Sequence, residues 1–373
     1  MSEAEDLPRA DQAEGAPHPR ETQQLIGHAQ AEADFLQAFN SERLHHGWLI
    51  MGPRGVGKAT LAWRIAKFLL ATPLQQDDGL FGAPPPPARL DIDPDHPVSH
   101  RIQALAEPSL AAITRSYNDK GRLRDQIVVD DVRLLNKFFG LSSAEGGRRV
   151  VIVDSADEMN PNAANALLKM LEEPPARTTL LLISHQPSRL LPTIRSRCRT
   201  LRLGPLGPQD MQAALEQAGA ELPQDATYLA ALAGGSVGAA MRLLALDGMK
   251  LYADILKIAD SLPRLDRQGA MAMAERAAAR NAGERFELML TLFDVLLVRL
   301  AKTGATGQPP FPEAAPNEAA ILSRLSPDPH KARAWADLAA VVTDRTRHGQ
   351  AVNLDPAALV LDTVFKMQDT ASR

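Results

Sequence analysis

The sequence predicts an α/β protein in which a parallel sheet covered by helices fills the first half of the chain and helices alone fill the second. Three observations predict it. Short apolar runs alternate with helical stretches as far as about residue 203, the pattern of parallel strands joined by crossover helices. Beyond Gly204-Pro205 the strand signals stop and amphipathic helical spacing takes over. The composition, 45% hydrophobic and only 4% aromatic, is that of a globular protein leaning towards helix. A length of 373 residues predicts two or three domains.

The strands are expected at Trp48 to Met51, Leu110 to Thr114, Val150 to Asp154, Leu180 to Ser184 and Thr200 to Leu203. Between them, Leu61, Ile65, Phe68 and Leu69 share one helical face, and Ala164, Leu167, Leu168 and Leu171 repeat the spacing. The second of these helices has readable ends: Asn160 as cap, Pro161 in the first turn and Pro174-Pro175 as a stop. An irregular insertion at about 71–109 contains Pro84 to Pro87 and is expected as exposed loop. Helices follow at about 208–246 and 250–303. A Gly/Pro-rich joint at 304–316 precedes a last group, whose final helix is capped by Asp355 with Pro356 in its first turn. There is no internal repeat.

Charge and cysteine content exclude several classes. Lys and Arg number 41 against 45 Asp and Glu, so no overall basic field marks an autonomous nucleic-acid binder, although Arg148-Arg149 and the cluster from Arg195 to Arg202 could touch phosphates. The single cysteine, Cys198, excludes an internal disulfide and a four-cysteine zinc module and fits a reducing compartment. Residues 1–22 are acidic without an apolar core, which predicts a disordered tail rather than a targeting signal. Phe286 to Leu300 is too short and polar for a membrane span, and a cytoplasmic location is expected.

The chemistry-bearing motif is Gly52-Pro53-Arg54-Gly55-Val56-Gly57-Lys58, between a predicted strand and a predicted helix. Glycines let backbone N–H groups turn onto phosphate oxygens, Lys58 adds charge, and the helix start adds its dipole. The next position should carry a hydroxyl for magnesium but holds Ala59; Thr60, rotated by about 100° on the helix, is a poor substitute. Val150-Val151-Ile152-Val153-Asp154 supplies a strand ending in an acid that orients magnesium through water or merely caps a turn. Ser155 stands where a glutamate would polarise water, and Asp157 and Glu158 lie further on. Asp91, Asp93, Asp95, His96 and His100 are spaced as a solvated loop rather than a metal centre. Cys198 has no partnered base and is expected to pack as a small residue.

Asn165-Ala166-Leu167-Leu168-Lys169-Met170-Leu171-Glu172-Glu173-Pro174-Pro175, with Leu181-Leu182-Ile183-Ser184, Ser196-Arg197-Cys198 and the phosphate loop, resembles the bacterial clamp-loader subunits of DNA polymerase III, members of the AAA+ class. The resemblance is dense from about 44 to 203. It implies a RecA-like AAA+ parallel sheet with helices on both faces over 23–205, a small helical lid over 206–248 and an all-α collar over 249–373, after the tail at 1–22. It further implies a hetero-pentamer with tau/gamma and delta subunits that places a sliding clamp on primed DNA.

Three departures, Ala59, Ser155 and Gly238 in place of a lid arginine, with Arg197 intact, resemble the delta-prime type rather than the hydrolysing tau/gamma type; the cysteine-free insertion is a further departure, since many delta-prime chains keep the zinc module. Under that resemblance Arg197 is an arginine finger given to a neighbour's ATP; otherwise Arg195, Arg197 and Arg199 form a solvated face. Gly52, Gly55, Gly57, Lys58 and Asp154 are the nucleotide-binding candidates. No cofactor is required, no zinc is expected, and ATP or ADP, if held, is held weakly or without hydrolysis. The alternative is a working ATPase in which Asp157 or Glu158 replaces the missing glutamate.

Overall fold

The computed structural model describes residues 9–12, 15–41, 43–73, 85–140, 147–223, 226–280 and 282–373. The chain divides into two compact units, Met1–Ala220 with Gly235–Gly238, and Glu221–Gly234 with Ala239–Arg373.

The first unit runs α1 (Ala29–Asn40), β1 (Gly47–Met51), α2 (Lys58–Ala71), α3 (Pro97–Gln103), β2 (Leu110–Ile113), α4 (Val129–Gly140), β3 (Arg149–Val153), α5 (Pro161–Glu172), β4 (Thr178–Ser184), α6 (Pro192–Ser196), β5 (Arg199–Arg202) and α7 (Pro208–Gln217). All five expected strands form, and they pair in parallel in the order β2-β3-β4-β1-β5. Strand alternation splits the core in two. Trp48, Ile50, Val150, Ile152, Leu181 and Ile183 face a cluster with Phe35, Leu61, Ile65 and Phe68. Leu49, Val151, Val153, Leu180 and Leu182 face the other side, with Leu167, Leu171 and Ile194. Central strands buried on both faces are what a helix-covered parallel sheet requires.

Three local expectations change. The insertion is partly ordered: His96 Nδ1 accepts the Val98 N–H at 3.2 Å and caps α3, while Leu90, Val98 and Ile102 join the core. Pro84 lies outside the described residues, as do residues 1–8 of the expected tail. Within that tail His18 and Arg20 are buried; His18 meets the Trp63 ring edge-on at 5.6 Å and pairs with Asp11 at 3.0 Å. The first unit also continues past residue 205, because Leu206 packs against Gly27 and Gln217 Nε2 donates to the Gln24 carbonyl at 3.0 Å.

The second unit contains α8 (Ala226–Ala233), most of α9 (Val237–Ala245), α10 (Gly248–Asp260), α11 (Arg267–Ala277), α12 (Gly283–Thr306), α13 (Glu318–Leu325), α14 (Pro329–Ala351) and α15 (Pro356–Ser372). Asp355 caps α15 as expected, accepting the N–H groups of Ala357 and Ala358. The 304–316 joint begins later than expected, since α12 persists to Thr306. The rest of the joint is fastened by Arg299, which donates to the Pro312 carbonyl at 2.9 Å and pairs with fully buried Glu318 at 2.7 Å. Tyr252 donates to the same carboxylate. Among the described residues no helix is long and apolar enough to cross a membrane.

Candidate functional site

The phosphate loop leaves the C-terminal end of β1 and enters α2, as the sequence predicts. Gly55 and Gly57 have φ of 71° and 99°, values that side-chain-bearing residues avoid. Gly55 is also closely approached, because a Cβ there would lie 2.3 Å from Ser236 Oγ and 2.9 Å from the Gly238 nitrogen. The Gly55 carbonyl accepts the Gly238 N–H at 3.2 Å, so the glycine at the expected lid-arginine position abuts the loop through its backbone.

Lys58 is buried and donates from Nζ to the Pro53 carbonyl within the loop. Burial lowers its ammonium to about 8, against the opposing pull of Asp154 and Asp157 and with help from Arg54. Lys58 and Asp154 are therefore electrostatic neighbours, and the five predicted nucleotide-binding residues form one cluster at the C-terminal ends of β1 and β3. This cradle fits a phosphate chain: backbone donors at a helix N-terminus with a lysine over them. It fits magnesium poorly, because Ala59 offers no oxygen.

Asp154 follows β3. Burial pushes its carboxyl up to about 7, and the charge of Asp11 adds to the rise; the Ser155 hydroxyl, donating to Oδ1 at 3.1 Å, and Lys58 oppose it. Ser155 Oγ also lies 2.8 Å from His185 Nε2. Burial, joined by the charges of Lys58 and Arg54, lowers His185 to about 4, so the ring is neutral near pH 7.

The two downstream acids are committed elsewhere. Asp157 is buried and accepts the N–H groups of His185 at 3.1 Å and Gln186 at 3.0 Å, tying β3 to the segment after β4. Glu158 pairs with Arg54 and, at 2.9 Å, with Arg115 Nε. Both are fixed by partners inside the protein.

Arg197 is separate from this cluster. It follows α6 and precedes β5, whose register sets Arg199 beside Trp48 at the start of β1, while the phosphate loop leaves the strand's far end. A strand of this length separates the two by roughly 13 Å, at about 3.3 Å per step. Arg197 Nη2 pairs with Glu172 Oε1 at 2.9 Å and Nη1 donates to the Thr193 carbonyl at 3.0 Å. The side chain is 37% exposed. Neighbouring Cys198 is largely buried, which pushes its thiol up to about 12 and keeps it protonated.

Of the acid and histidine residues of the insertion, Asp91 receives Arg64 at 2.8 Å, Asp93 accepts the Asp95 N–H at 2.9 Å and His96 accepts the Val98 N–H. Sequence reasoning missed His28, whose buried ring contacts the Val56 carbonyl at 2.7 Å beside the phosphate loop. It also missed His185 and the pairing of Glu172. A histidine just before α1 and another just after β4 were visible signals, but neither spacing points to a partner.

A parallel sheet carrying a glycine-lined phosphate loop after β1 and an acid after β3 is the nucleotide-binding core of the AAA+ class. The family described as DNA polymerase III, delta subunit, matches residues 27–207. DNA polymerase III subunit delta' of Escherichia coli K12 is 32% identical over 248 residues, covering 65% of this chain and 68% of that protein. The chain belongs to this DNA polymerase III delta-prime family.

The delta' subunit of Pseudomonas aeruginosa is 39% identical over 202 residues, 53% of this chain and 55% of that protein. That of Bacillus subtilis is 32% identical over 175 residues, 47% of each. The chain thus spans about half the length of these two relatives. Among solved structures, a DNA polymerase III gamma subunit-related protein of Thermotoga maritima superposes with a TM-score of 0.46 at 16% identity, covering 91% of this chain and 100% of that one.

Proposed function

We propose that this chain is a cytoplasmic, non-hydrolysing clamp-loader subunit that supplies Arg197 to ATP held by a neighbouring tau/gamma-type subunit. It does so within a hetero-pentamer that also contains a delta subunit and sets a sliding clamp on primed DNA. The observation that carries this reading is the position of Arg197 at the opposite end of β1 from the chain's own phosphate loop. A guanidinium there is out of reach of that loop and free to meet a phosphoryl group across an interface, where its fixed charge and fork suit the transition state. The chain's own site favours the same reading. Ala59 has no hydroxyl to hold magnesium, Ser155 has no carboxylate to polarise water, and Asp157 and Glu158 are bound up in other contacts.

The test is reconstitution. The purified chain should show no magnesium-dependent ATP hydrolysis above background. The assembled complex carrying Arg197→Ala should lose clamp loading and DNA-stimulated hydrolysis by at least about tenfold at the site it faces, below the range of roughly 10³–10⁵ attributed to arginine fingers. Turnover by the isolated chain that Lys58→Ala abolishes would establish the working-ATPase alternative instead.

A further inference from the structure

We propose that Glu172 is the positioning residue for Arg197, holding the guanidinium oriented at the surface before the neighbouring subunit's nucleotide arrives; this rests on the finger role proposed above. Two elements converge on the group. Glu172 is the last residue of α5 and sends Oε1 to Nη2 at 2.9 Å, while the Thr193 carbonyl of α6 takes Nη1 at 3.0 Å. Two contacts to different nitrogens fix the plane of the fork as well as its position, which one contact would not do.

The guanidinium is restrained without being hidden. The side chains of Arg197 and Glu172 are 37% and 43% exposed, so part of the fork stays open to a partner. An exposed pair of this kind is weak and is readily outcompeted by the denser charge of a phosphoryl group in transfer. Its effect is to reduce the rotamers an otherwise free arginine would have to give up in the transition state.

The base of the restraint is rigid. Asn160 Oδ1 caps α5 by accepting the Ala163 N–H at 2.8 Å, and Leu167 and Leu171 bury the helix against the sheet. The Arg197 carbonyl lies against Gly47 at the start of β1, where a Cβ would come within 3.1 Å of it. The backbone on both sides of the pair is thereby pinned, and the side-chain pairing decides where the guanidinium points.

The experiment uses the reconstituted full complex and separates kcat from KM for DNA-stimulated ATP hydrolysis. Glu172→Ala is expected to lower kcat by about fivefold, the scale of one weak ion pair, with KM for ATP unchanged because the finger acts in the transition state. Glu172→Gln, which keeps an oxygen for the guanidinium, should recover part of the loss. In an Arg197→Ala background, Glu172→Ala should cost nothing further, whereas a merely structural glutamate would add its own penalty. An additive double variant, an unchanged kcat in Glu172→Ala, or a raised one would overturn the positioning role. An Arg197→Ala complex with normal rates would instead remove the finger role on which it rests.

Discussion

Glu158 is bridged to Arg54, so a residue of the phosphate loop holds the nearest glutamate that could have replaced the missing water-polarising group. Arg115 secures the same carboxylate from the segment after β2. The groups an ATPase site would use are affected together: the acid at 155 is absent, the acids at 157 and 158 are engaged, and the oxygen at 59 is missing.

If the missing oxygen at position 59 limits metal binding, Ala59→Thr should create a magnesium dependence of ADP affinity that the parent lacks, with affinity in magnesium rising by about tenfold. Calorimetric titration with ADP, with and without magnesium, measures it. Equal affinities in both conditions for the variant would place the defect elsewhere in the loop.

The pH dependence of stability should carry the mark of Asp154. Burial raises its carboxyl to about 7 from the ordinary 3.8. The folded protein therefore binds more protons than the unfolded one between those values, and stability falls as pH rises through that window and stays lower above it. Asp154→Asn removes the ionisation and should stabilise the protein at pH 8 by on the order of 1–4 kcal/mol, given about 1.4 kcal/mol per pKa unit. The gain should shrink towards pH 5, as urea unfolding at the two pH values will show.

In the helical unit, Arg299→Met leaves Glu318 buried without its cation and should cost about 3–5 kcal/mol in chemical denaturation. Arg299→Met/Glu318→Leu removes both charges and should recover a large part of that loss. The Pro310 and Pro312 carbonyls lose their Arg299 donor in both variants, so protease sensitivity of the 307–316 segment should rise in each.

Much of the fold was legible because its signals are local. Apolar runs bounded by turn residues located all five strands to within two residues at each end, and Asn160 and Asp355 announced helix starts because a capping side chain acts on N–H groups two or three positions away. The ordered part of the insertion was hidden for the opposite reason. Leu90, Val98 and Ile102 are held by a core assembled from distant residues, and a proline-rich composition says nothing about that burial.

The sequence by itself determined the chemical inventory: a loop able to cradle phosphates, the absence of a hydroxyl at 59 and of a carboxylate at 155, and an arginine in a motif shared with a known family. Only the tertiary structure decided where these groups act. Parallel pairing of β5 with β1 sent Arg197 to the opposite end of the sheet from Lys58, and folding brought Glu172, Arg54 and His185 to partners 25, 104 and 30 residues away. Such pairings depend on strand order and register, which the side-chain pattern of any one segment does not encode, so the pairing of Arg197 with Glu172 became visible only in three dimensions.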